Sequence, residues 1–311
     1  MADRPSISPL IVLGIGILAV SNGSIFVRKA LVYTPPITVA AYRLILAAVF
    51  LFPFIVIFRK KEIIQLEWKE RGLAFLSGVF LAFHFASWVS SLQYTTVASS
   101  VILVSTTPLW VALINPFTLK EKIGTPIIVG GILTLFGGIV VGLSDQCTWH
   151  HLTISCPSLP TFFAGKAILG DGLALFGSVM AAGYLLVGRS LRQHLSLASY
   201  AFLVYSMGAL VLLIWATIRG ESFFGYPAPA YGWFLALAIV PQLIGHTSFN
   251  WALRYLPTAF VSLTFLGEPI GTAILAYFIL KEVPSGFKLM GIGLILVGLF
   301  IASYDYNSNK T

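Results

Sequence analysis

The chain has 311 residues, of which 58% are hydrophobic and only 10% charged, and its formal net charge is +8. Soluble domains carry about 25% charged residues, so this chain cannot cover its own surface in water and its solvent is largely lipid. The positive excess comes without a basic patch interleaved with aromatics, which excludes a nucleic-acid partner; in a membrane chain such charge records loop orientation instead.

The first apolar run begins near Pro9 and continues past Phe26. It reaches the roughly 20 residues a helix needs to cross a bilayer, and it reads as a retained first helix, not a removable signal core. Further runs of spanning length follow. The pattern predicts ten helices, over 9–29, 37–58, 72–92, 96–118, 124–143, 168–188, 197–218, 231–253, 257–280 and 286–304. None alternates as a membrane strand would. The predicted fold is an all-α integral membrane protein. Breaks fall at "TPPIT", "RKKEIIQLEWKER", "QYTT", "LKEKIGTP", a long loop at 144–167, "RSLRQHLS", "RGESFFGYPAPA", "RYLP" and "KEVPSG".

With a cytoplasmic N-terminus, the inner segments hold Arg4, Arg59, Lys60, Lys61, Lys69, Arg71, Lys120, Lys122, Arg189, Arg192, Arg254 and Lys310, twelve in all. The outer segments hold six: Arg28, Lys29, Lys166, Arg219, Lys281 and Lys288. Arg43 lies within a span. This excess predicts both termini in the cytoplasm of a cell whose inner (plasma) membrane holds the chain.

The halves repeat. At an offset of 161, Leu92 meets Leu253, Tyr94 meets Tyr255, Pro108 meets Pro269, Phe117 meets Phe278, and Lys120-Glu121 meets Lys281-Glu282. Gly130 and Gly137 meet Gly291 and Gly298, and at an offset of 160 Gly23 and Val27 meet Gly183 and Val187. One register held through a turn, a proline and a Lys-Glu pair marks a repeated structural unit. The predicted division is 1–145, an outer loop at 146–167, and 168–311. Five helices separate the Lys-Glu marks, so the second unit is expected to be the first turned over. Inverted repeats are a signature of secondary transporters, whose substrate site lies near the midplane.

"PPITVAAYRLILAA", "TPLWVALINPFTLKEKIGTPIIVGGILTLFGGIVV" and "GEPIGTAILAYFILKEVPSGFKLMGIGLILVGLF" together resemble the drug/metabolite transporter superfamily, EamA type, over essentially the whole chain. The resemblance implies ten helices in two inverted repeats around a central cavity, and export of amino acids or other small metabolites. "FHFASWVSSL" is similar to the corresponding helix of bacterial aromatic amino acid exporters, in which His and aromatic residues line the cavity; it implies that role for His84 and Trp88. "SNGSIFVRK" departs from the family pattern, with Asn22 where Trp is common.

Helical spacing places Phe80, His84 and Trp88 on one face, with Ser91 close by, and does the same for Gln242, His246 and Asn250, followed by Arg254. Polar stripes inside lipid must face protein or water, so each reads either as cavity lining or as interhelical glue. Trp110, Tyr184 and Ser24 are further lining candidates. Glu268, deep in the ninth helix and followed by Pro269, reads as a proton or substrate-amine site or as a helix-break anchor. Arg43 reads as a packing residue or a carboxylate's partner ahead of substrate contact. Cys147 and Cys156 in "CTWHHLTISC" could form a disulfide, stay free, or join His150 and His151 at a metal, the metal being the least favoured of the three. No cofactor is expected.

The function predicted is a secondary transporter working by alternating access, with partners limited to a small-molecule substrate, which could be a hydrophobic or aromatic amino acid, and membrane lipid. A carrier of nucleotide sugars or sugar phosphates would need more cations than Arg43 near the midplane. An enzyme is not expected, because no HExxH, GxSxG or phosphate loop is present. A scaffold would have no use for inverted symmetry.

Overall fold

The computed structural model describes residues 5, 7–118, 125–144, 148–150, 153–155 and 165–308. These form ten helical segments: α1 (Pro9–Ala30), α2 (Pro36–Ile64), α3 (Trp68–Ser91), α4 (Val97–Thr118), α5 (Thr125–Ser144), α6 (Lys166–Arg192), α7 (Leu197–Ile218), α8 (Ala228–Ala252), α9 (Thr258–Leu280) and α10 (Gly286–Ser308). Among the described residues, eight are long and apolar enough to cross a membrane; α5 and α10 carry shorter apolar cores, Ile128–Val141 and Gly286–Gly298. One small element was not expected. Strands β1 (Thr148–His150) and β2 (Thr153–Ser155) pair antiparallel, Trp149 opposite Ile154. Cys147, Cys156 and His151 of the disulfide and metal readings lie outside the described residues, as do Lys120 and Glu121.

Side chains such as Leu10, Leu18, Ile57, Phe58 and Phe117 are exposed on helix surfaces. In water so much outward apolar area would drive aggregation; facing lipid it is at home. Inside, α3 packs against α6, α7 packs against α2 and α3, and α5 packs against α10. The last seam is built of glycine. Gly137 and Gly291 sit so close that a Cβ on either would lie 2.8–2.9 Å from the other's carbonyl oxygen. Lipid gives helices no hydrophobic reason to associate, so close backbone approach at small residues must supply the contact.

Among the described residues, five spans are irregular. α1 breaks at Ser21–Asn22, α4 at Ser105–Thr106 and α9 at Phe265–Leu266, while π turns widen α2 over Ile55–Arg59, α8 over Ala238–His246 and the end of α9 over Ala276–Leu280. Proline explains two of these breaks. Pro108 and Pro269 cannot donate to the carbonyls of Val104 and Phe265, one turn back. Thr107 Oγ1 donates to Val104 O at 2.8 Å instead, and Glu268 N donates to Phe265 O at 3.0 Å. In α1, Ser21 Oγ and Asn22 Nδ2 donate to Ile17 O and Leu18 O at 2.8 and 2.9 Å.

Three glutamates tie the bundle through helix N-termini, whose free N–H groups attract anions. Glu62, in the last turn of α2, accepts from Ser196 N and Oγ (2.6 and 2.7 Å) and from Ser199 Oγ (2.8 Å) at the start of α7. Glu221, just beyond α7, accepts from Thr38 N and Oγ1 (3.1 and 2.9 Å) at the start of α2. The two packed helices thus cap each other. Glu282, the end of the repeated Leu-Lys-Glu, accepts from Val97 N at 3.0 Å at the start of α4 and pairs with Arg28 at 3.5 Å. Lys281 before it takes the left-handed conformation (φ 59°) that closes α9.

Candidate functional site

The irregular helices surround a narrow pocket with a cavity volume of about 40 Å³. Seven helices line it: α1 with Val20 and Gly23, α2 with Arg43, α3 with His84, Phe85 and Trp88, α4 with Val104, Ser105 and Thr107, α6 with Ala181, Tyr184 and Leu185, α8 with Pro241 and His246, and α9 with Phe265 and Glu268. Interrupted helices free backbone and side-chain polar groups from helical duty, and in membrane carriers that is where ligands bind.

One wall is an aromatic stack. The His84 and Trp88 rings lie 6.3 Å apart and only 2° from parallel, as their spacing of four implies. His84 Nδ1 donates to Gly177 O on α6 at 2.9 Å. That bond ties α3 to α6 and leaves Nε2 as an acceptor on a ring that lines the pocket. His84 is therefore both glue and lining. The His246 ring lies 6.2 Å from His84, and its Nδ1 is buried without a partner. Among the described residues, the Trp88 indole N–H and the Ser105 hydroxyl are likewise buried without a partner.

Arg43 is buried, and its Nε donates to Gln242 Oε1 at 2.7 Å, not to a carboxylate. Its guanidinium carbon lies 4.0 Å from the centre of the Phe85 ring, a cation–π contact. Glu268 is the one acid in the lining.

The structure brings together six of the residues singled out from sequence: His84, Trp88, Tyr184, His246, Glu268 and Arg43. Phe80, Ser91, Gln242, Arg254, Asn250, Ser24 and Trp110 stand outside the lining. Asn250 Oδ1 accepts from Tyr184 OH at 2.6 Å, so it holds a lining residue in place. Ser24 is fully buried with an unpartnered hydroxyl, and Trp110 packs against the core with its indole N–H unpartnered. Lining residues that sequence reasoning passed over include Phe85, Phe265, Ser105 and Thr107. The repeat held a signal for some of them. Val104 and Thr107 stand 161 positions before Phe265 and Glu268, and both pairs line the pocket at the paired helix breaks.

Comparison with known proteins identifies the family and the fold. The EamA-like transporter family model matches twice, over residues 7–143 and 168–304. An uncharacterized transporter of Archaeoglobus fulgidus is 26% identical over 303 residues, covering 94% of this chain and 96% of its own. The uncharacterized transporter YetK of Bacillus subtilis is 23% identical, covering 91% and 83%. A protein of known crystal structure shares the fold, with a TM-score of 0.68 over 98% of this chain at 16% identity. A multi-pass helical bundle enclosing a mixed polar and aromatic pocket is the build of a membrane carrier. The chain belongs to the EamA-like transporter family; it is a membrane transporter of a small-molecule substrate.

Proposed function

We propose that the protein exports amino acids, or organic metabolites of similar size and polarity, by alternating access across the plasma membrane. The observation that carries this reading is the pocket itself: one cation, one acid, two imidazoles and an aromatic wall enclosed at the helix breaks. The resemblance of the α3 stripe to aromatic amino acid exporters supports hydrophobic or aromatic side chains. The sequence carries no phosphate-loop motif, and the reading takes an ion or substrate gradient as the driving force. A carrier of nucleotide sugars finds less support, because among the described residues Arg43 is the one arginine or lysine in the pocket lining. The test is counterflow of a radiolabelled amino acid panel in proteoliposomes. Silence for every amino acid, with exchange of other metabolites, overturns the reading.

In this proposal His84 serves the substrate as well as the helix contact. His84→Ala is expected to lower the melting temperature by several degrees and to weaken binding of the best counterflow substrate about tenfold to hundredfold. A variant that melts lower but binds like the parent would show His84 to be a helix tie alone.

The inverted arrangement of ten crossings, divided at 1–145 and 168–311 with both termini cytoplasmic, is part of the same proposal. Its supports are the two family matches, the register of 161 and the positive-inside count. It predicts that single cysteines next to Lys120 and Lys281, in a background without the native pair, react oppositely with an impermeant maleimide on intact cells. The site at 281 should label and the site at 120 should not; equal labelling contradicts inversion.

A further inference from the structure

We propose that Arg43, with the indole N–H of Trp88, holds the carboxylate of the substrate and that Glu268 holds the same molecule's ammonium group, so that the pocket selects zwitterions. This deepens the amino acid reading above and rests on it. Arg43 is only 1% exposed, yet of its five N–H donors the Nε–H alone has an acceptor among the described residues, and Nη1 is buried with none. The indole N–H of Trp88, 4% exposed, is also without an acceptor. The Trp88 ring centre lies 5.8 Å from the guanidinium carbon, so the two residues are neighbours in the pocket lining.

Glu268 lies at the α9 break, 9% exposed. Its backbone carbonyl accepts from Ser21 Oγ at 3.5 Å, but among the described residues no hydrogen bond reaches its carboxylate. Arg43 and Glu268 share the pocket and form no ion pair with each other. A buried guanidinium and a buried carboxyl that face the same space without pairing lack the partners that offset burial. A ligand that bridges them supplies those partners. An apolar ligand leaves both groups bare, an anion leaves Glu268 bare, and an amine leaves Arg43 bare. Of these ligand classes, the zwitterion answers both. The rest of the lining, Val20, Phe85, Val104, Ala181, Leu185 and Phe265, is apolar and suits an aliphatic or aromatic side chain. Arg43 is thus placed in substrate contact, where sequence reasoning favoured packing.

The test measures binding to the purified full chain of phenylalanine and leucine, of the amines lacking the carboxylate (phenethylamine and isopentylamine), and of the acids lacking the amine (3-phenylpropionate and 4-methylpentanoate). At least one amino acid should bind the parent about tenfold to hundredfold more tightly than either of its truncated analogues. In Arg43→Gln that amino acid should fall to the level of its amine, whose own binding should not change. Glu268→Gln should do the same relative to the acid. Trp88→Phe keeps an aromatic ring in the stack and removes only the donor; it should weaken the amino acid severalfold and spare the amine, and it carries the test if Arg43→Gln does not fold. Equal weakening of amino acid and amine in Arg43→Gln or Trp88→Phe, or of amino acid and acid in Glu268→Gln, overturns the proposal, as does a parent that binds amines as well as amino acids. If counterflow shows amino acid exchange while these analogue series come out equal, the zwitterion proposal falls alone. If no amino acid exchanges or binds, both readings fall.

Discussion

Leucine in place of Gly298 is expected to destroy the folded transporter, while leucine in place of Gly293 on the same helix is expected to be silent. A Cβ at Gly298 would lie 2.6 Å from Gly130 O, 2.7 Å from Thr134 Oγ1 and 2.8 Å from Thr134 N. Two of those three atoms are backbone of α5 and cannot swing aside. Overpacking a well-filled contact costs about 1–3 kcal/mol even where side chains can adjust, and here α10 must move off α5 bodily. That seam is held by close approach, so displacement removes the contact instead of straining it. Gly293 has nothing within 4 Å of a Cβ and is exposed. The measurement is the yield of monodisperse protein in detergent and its melting temperature. Gly298→Leu protein that melts like the parent would show that the seam does not hold the bundle.

The contrast between these two glycines also shows what sequence could and could not reveal. The register of 161 marked Gly130, Gly137, Gly291 and Gly298 together, and the structure places all four at one seam. Apolar run length located the helical segments because lipid demands it of any span. Spacing of four brought His84 and Trp88 into a stack, since that is a property of a single helix. What failed to be legible was contact between helices far apart in sequence. Nothing near Arg43 announces Gln242, 199 positions away, or the ring of Phe85 beneath it. The π turns of α8 rotate Gln242, His246 and Asn250 away from ideal α-helical alignment, so only His246 reaches the pocket while its neighbours bond to Arg43 and Tyr184. Ser24 and Trp110 were polar or aromatic groups within spans, but which way each faces is set by packing that one helix cannot specify. The repeated Lys-Glu was read as a mark of duplication; the role of Glu282 as a cap on α4 required seeing a helix start 185 positions earlier come alongside it.

The same capping logic sets the second large effect. Glu62→Ala is expected to destabilise the protein by about 2–3 kcal/mol, and Glu221→Ala by about 1–2 kcal/mol. Loss of a helix cap costs typically about 1 kcal/mol, and charged acceptors roughly double a hydrogen bond's worth. Glu62 serves three donors at the start of α7, whereas Glu221 serves two at the start of α2, at longer distances. Both carboxylates are partly exposed or sit near a surface arginine, Arg59 for Glu62 and Arg219 for Glu221, and solvent holds those ion pairs to a minor share. The caps should therefore act through the helix ends. Two results would distinguish this from a general loss of surface charge. First, Glu62→Ala combined with Ser196→Ala and Ser199→Ala should destabilise less than the separate effects summed, with an interaction energy of about 0.5–3 kcal/mol, because the partners share one network. Second, Glu62→Ala and Glu221→Ala should add within about 0.5 kcal/mol, because the caps sit at opposite ends of the α2–α7 pair and share no partner. Urea or thermal unfolding in detergent gives all of these values. Full additivity between Glu62 and the two serines would mean that the short contacts at the start of α7 do not hold it to α2.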